Sequence, residues 1–120
     1  MNQGNYMSRK NITPGDPLQF IQRCVIQRKI FWTYHVNMRL KGRSISRDAI
    51  IDSHDRYEII ERYPNDKYFP SYLVRSEYQG DILHISFAVE EKADNIRIIT
   101  AYRPTLGEWE DGFKIRRRSS

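Results

Sequence analysis

Three residues at four-residue steps, His35, Arg39 and Arg43, form the sharpest chemical constellation in the sequence. On a helix, positions four apart stack one above another, so the three make a stripe that drifts slowly round the axis. An imidazole can take the proton of a ribose 2′-hydroxyl. Guanidinium groups can meanwhile grip phosphate oxygens and offset the charge that gathers at phosphorus. Together these are the equipment for cutting RNA without a metal. The same spacing also describes an ordinary solvated basic stripe with a structural histidine in it.

Two more residues could complete such a site. Along Ile82 to Val89, the residues Leu83, Ile85, Phe87 and Val89 form one apolar face, which leaves Ile82, His84, Ser86 and Ala88 on the other. His84 is therefore expected on an exposed, concave sheet face, where it could protonate a leaving 5′-oxygen. Tyr102 could orient the phosphate or stack a base. The plainer reading makes His84 a satisfied strand residue and Tyr102 a cap on the core. Pattern alone does not assign Tyr102, because Ile96, Ile98, Ile99 and Ala101 leave both faces of their strand partly apolar. Arg103 and the tail cations Lys114, Arg116, Arg117 and Arg118 are candidate nucleic-acid contacts, and such contacts make binding fall with salt. The tail cluster reads equally well as a frayed basic end.

These side chains need elements to hold them. Asp16 followed by Pro17 and Gln19 is a good helix start, with a capping carboxylate, proline at the first position and a glutamine able to reach back. Leu18, Ile21, Val25 and Ile26 then recur at helical spacing to near Lys29. Thr33 can cap a second helix from Tyr34 to about Arg43, with Val36 and Leu40 turned inward. Ser46 can cap a short third helix carrying Ala49, Ile50 and Ile51. Four strand-like stretches follow: Tyr57 to Tyr63, Ser71 to Tyr78, Ile82 to Val89 and Asn95 to Arg103. Short connections between them argue for an antiparallel meander. The expected fold is α+β, two to three helices followed by a four-stranded antiparallel sheet. Residues 1–15 read as a flexible lead-in, 16–113 as one domain and 114–120 as a basic tail.

Composition narrows the function classes. Lys plus Arg number 20 against 15 Asp plus Glu, a formal charge of +5 that favours a polyanionic partner such as nucleic acid. No stretch approaches the roughly 18 apolar residues of a membrane span, and the N-terminus lacks a signal-type apolar run, so the cytoplasm is expected. A single cysteine, Cys24, excludes an internal disulfide and a cysteine-rich zinc site. Acidic pairs such as Asp48/Asp52 and Glu90/Glu91 lack ligand company, and no phosphate-cradling glycine loop or cofactor fingerprint is present. Neither a metal nor a cofactor is expected.

Read in order, the ordered residues resemble a bacterial family, domain-of-unknown-function family 4258. The resemblance rests on Trp32-Thr33-Tyr34-His35, Arg39, Arg43-Ser44-Ile45-Ser46, Ile59-Ile60-Glu61-Arg62-Tyr63-Pro64 and Pro70-Ser71-Tyr72-Leu73. It continues through Leu83-His84-Ile85, Ile99-Thr100-Ala101-Tyr102-Arg103-Pro104 and Trp109, and spans about residues 18 to 118. It implies a place near the RelE, ParE and BrnT toxins, among small metal-independent ribonuclease folds whose members look like toxins paired with an antitoxin. By that resemblance His35, Arg39, Arg43, His84 and Tyr102 are site candidates. The implied activity is a toxin-type endoribonuclease acting by 2′-hydroxyl attack on RNA, ribosome-bound mRNA included. The implied partner is a cognate antitoxin. ParE-like relatives act on gyrase instead, and the alternative here is a non-catalytic module that binds an acidic protein or nucleic acid. The longer N-terminus and heavily basic C-terminus depart from the family pattern.

Overall fold

The computed structural model describes residues 15–118, so all but the last residue of the expected lead-in lies outside the described residues. Helix α1 (Pro17–Ile26) starts as the sequence predicts, with the Asp16 carboxylate accepting from the Gln19 amide at 3.0 Å. A two-residue strand, β1 (Ile30–Phe31), follows, then α2 (Tyr34–Gly42) and α3 (Arg47–Asp52). Thr33 and Ser46 cap these two helices, accepting from Val36 and Ala49 amides at 3.1 and 3.0 Å. A single 3₁₀ turn at His54–Arg56 leads into the meander β2 (Glu58–Tyr63), β3 (Ser71–Tyr78), β4 (Asp81–Glu90) and β5 (Asn95–Tyr102).

The expected four-stranded antiparallel sheet needs one correction. The sheet has five strands in the order β1-β5-β4-β3-β2, and β1 pairs parallel with β5 through Ile30↔Ile96 and Phe31↔Arg97. Two residues of β-branched and aromatic type are too short a run to stand out in a sequence. What fixes them in place is long-range. Arg23 and Lys29 both reach Asp94, at 2.6 and 2.7 Å, joining the end of α1 to the β4–β5 turn. Hydrogen bonds from both cations hold the Asp94 carboxyl down to about 2.

The helices cover one face of the sheet. Ile21, Cys24 and Val25 of α1, Val36 and Leu40 of α2 and Ile50 of α3 meet Leu83, Ile85, Phe87 and Val89 of β4, all buried. Complete burial of one such side chain contributes about 1.5–3 kcal/mol. The ambiguous pattern of β5 has a physical cause in a bulge. The register runs Ser86↔Thr100 and then Phe87↔Ile98, so Ile99 is an extra residue and the strand changes phase there. Ile96 and Ile98 face the helices before the bulge and Ala101 after it, while Tyr102 sits beside His84 on the outward face.

Candidate functional site

Helix α2 presents its buried side through Val36 and Leu40 and turns Tyr34, His35, Met38 and Arg39 to solvent. Tyr34 is 79% exposed and Met38 49%. A shallow open groove of about 390 Å³ runs along this side, lined by His35, Met38, Arg39, Gly42 and Arg43. The stripe read from the sequence is therefore real and accessible over its first two members. Arg43 is partly committed. It closes α2 as its C-cap, and its Nη1 donates to the Ala101 carbonyl at 2.8 Å and to Thr100 Oγ1 at 3.2 Å. Those contacts anchor α2 to β5 beyond the two residues that β1 covers, while Arg43 also lines the groove.

Arg103 is exposed but not free of partners. It donates to the Arg43 and Ser44 carbonyls at 2.7 and 3.0 Å and pairs with Asp81 at 3.3 Å. The two carbonyls lie just past the last residue of α2, where Ser44 adopts φ +55, and an arginine is well suited to satisfying the carbonyls at a helix end.

His84 overturns its expected placement. It lies on the outward face of β4, as the alternation predicts, yet it is 0% exposed. The residues after β5 fold back across it as a strap. Trp109 and Arg116 form an isolated antiparallel bridge, and the Glu110 amide donates to the Ile115 carbonyl at 2.8 Å. The Trp109 indole, itself fully buried, meets the His84 ring edge-on at 4.4 Å. His84 Nε2 donates to the Phe113 carbonyl at 2.8 Å, since a carbonyl can only accept; Nδ1 is then the acceptor for the Tyr102 hydroxyl at 3.3 Å. Burial pushes the His84 imidazole below its ordinary range, against the opposing pull of the Phe113 carbonyl, and the nearby Arg75 and Arg116 charges lower it further. A sealed neutral imidazole cannot hand a proton to a substrate. Tyr102 is half-buried in the same cluster, and burial raises its phenol. The structure does not bring His84 or Tyr102 into the groove that holds His35 and Arg39.

The tail cations are also engaged. Arg116 grips Glu61 with two hydrogen bonds of 3.0 and 3.1 Å while lying over the Trp109 ring at 4.5 Å. Burial opposes ionisation of Glu61, but the hydrogen bonds from Arg116 and Tyr63 outweigh it and hold its carboxyl below the usual range. Lys114 pairs with Glu58 at 3.1 Å, and Arg117 donates to the Leu106 carbonyl. Among the described residues, Arg118 alone of the five proposed nucleic-acid contacts has no such partner.

The family model for the domain of unknown function DUF4258 matches residues 32–103. The chain belongs to the DUF4258 family. No curated protein and no solved structure matches it. The DUF4258 span holds α2 to β5, and with them His35, Arg39, Arg43, His84, Tyr102 and Arg103. It ends just before the strap, so the residues that seal His84 lie outside the matched span. Among the described residues of this DUF4258 domain no three His, Cys, Asp or Glu side chains cluster as metal ligands, and no helix is long and apolar enough to cross a membrane.

One open region went unread in the sequence. Past Ser86 the outward face is not covered by the strap, and Phe31, Phe69, Ala88, Glu90, Asn95, Arg97 and Ile99 border two adjoining cavities there. The signal was present in Asn95, Arg97 and Ile99 at two-residue steps, but Phe31 joins them only through the unrecognised strand β1.

Proposed function

We propose that this domain is the toxin member of a toxin–antitoxin pair, a metal-independent endoribonuclease of RelE/ParE-like type, and that RNA is cut in the α2 groove. The observation that supports the reading is the juxtaposition of His35 and Arg39 on an exposed helix face, with Arg43 at the groove's end. His35 takes the 2′-hydroxyl proton, and the 2′-oxygen attacks the adjacent phosphorus. Arg39 and the free donors of Arg43 offset the charge on the phosphorane. The 5′-oxygen then leaves and takes its proton from solvent, since His84 is shut away. The products are a 2′,3′-cyclic phosphate and a 5′-hydroxyl.

A general base contributes about 10²- to 10⁴-fold. The purified chain is therefore expected to create new 5′-hydroxyl ends in single-stranded RNA, and His35→Ala to reduce that rate at least about 100-fold with an unchanged melting temperature. Arg39→Ala behaves alike. A His35→Ala variant that cuts as fast as wild type overturns the assignment.

A second reading is favoured by the exposed Tyr34 and Met38 beside those cations. Aromatic and thioether side chains on an open helix face suit a protein partner, which makes α2 a docking surface for an acidic antitoxin segment without chemistry. On that reading wild type and His35→Ala leave RNA equally intact.

A further inference from the structure

The outward sheet face, away from the strap, carries two adjoining cavities of about 220 and 390 Å³ that share Phe69, Ala88 and Arg97. The smaller is lined by two aromatic side chains, Phe31 and Phe69, and by the small Ala88. Pairing across the β4–β5 ladder sets Ala88 opposite Arg97 and Glu90 opposite Asn95, so a carboxylate and a carboxamide stand together at one end. Among the described residues no hydrogen bond or ion pair engages the Glu90 carboxylate or the Asn95 side-chain carboxamide. Two cations border the cavities, Arg97 both of them and Lys67 the larger. The Arg97 guanidinium lies 5.0 Å over the Phe31 ring, and Lys67, which lines the larger cavity, lies 5.2 Å over Tyr68.

We infer that this pocket is a guanine subsite for single-stranded RNA, an inference that rests on reading the domain as one that acts on RNA. Flat aromatic and guanidinium surfaces stack any base. The polar end discriminates among them. Guanine offers two neighbouring N–H donors, at N1 and N2, which one carboxylate accepts together, and its O6 accepts from a carboxamide. Adenine places an acceptor, N1, where guanine has a donor, and that lone pair faces the carboxylate unfavourably. Cytosine and uracil each offer a single donor on that edge. Arg97 and Lys67 then meet the flanking phosphates.

The test uses the full chain and fluorescent 2′-O-methyl hexanucleotides, five uridines plus one G, A, C or U, which cannot be cut because the attacking hydroxyl is blocked. The G probe is expected to bind about ten-fold tighter than the A probe. Glu90→Gln removes that preference. Phe31→Ala weakens all four probes at least about five-fold, and leaves the melting temperature unchanged because Phe31 is half-exposed. Equal affinity for the G and A probes, or a G preference that survives Glu90→Gln, overturns the inference. So does free guanosine monophosphate competing as strongly as the G oligonucleotide, which makes the ligand a nucleotide and not RNA. Since the probes cannot be cleaved, failure here leaves the His35 assignment standing, and absence of cleavage leaves this result standing.

Discussion

At one end of the outward sheet face, His84 and Tyr102 lie beneath Trp109 and the Phe113 carbonyl; at the other, Ala88 and Arg97 border open cavities. Both ends are built from β4 and β5: alternation along β4 turns His84 and Ala88 the same way, and the β5 bulge brings Tyr102 and Arg97 onto that same face. What separates them is a segment that follows the sheet and crosses only half of it. Where the strap lies, a histidine becomes an internal hydrogen-bond hub. Where it does not, a small residue and an arginine become the lining of a pocket. Strand periodicity assigns a side chain to a face, but whether that face meets water depends on chain far away in sequence.

The largest test of this contrast is Trp109→Ala. Removing a fully buried indole lowers stability by about 3–5 kcal/mol and uncovers the His84 end, readable by urea denaturation. A loss below about 1 kcal/mol means that the strap is not held as described.

A smaller effect sharpens the comparison through pH. The unfolded imidazole of His84 titrates near 6.5 and the folded one lower, so between those values the unfolded chain carries more protons. The contribution is fully present above about 6.5, falls as pH drops below it, and stops falling below the folded value. Its slope cannot exceed about 1.4 kcal/mol per pH unit. Subtracting the stability profile of His84→Gln from that of wild type isolates this component; a difference that is flat between pH 7 and 5 contradicts a sealed neutral His84.

Most of the local structure was legible. The caps Asp16, Thr33 and Ser46, the helix starts and the four meander strands all follow from short-range chemistry, and so does the inward set Leu83, Ile85, Phe87 and Val89. Three things were not. Strand β1 is two residues held by a parallel neighbour and by the Asp94 ion pairs, which no local pattern encodes. The β5 bulge breaks the period of two, so the phase of Tyr102 could be read only from coordinates. The strap contains Trp109 and Phe113 amid charge, and its cations looked free because their partners, Glu58 and Glu61, sit two strands away on β2. The candidate site was legible to the same degree: His35 and Arg39 are set by α2's own periodicity, whereas His84 depended on a long-range cover.

His35 lies open on α2 and His84 closed under the strap, and chemical modification reads that division directly. Native protein treated with diethyl pyrocarbonate at neutral pH and mapped by mass spectrometry is predicted to carry the adduct on His35 within minutes, with His84 unmodified until urea unfolds the chain. Adduct on His84 at a rate comparable to His35, in folded protein, contradicts it.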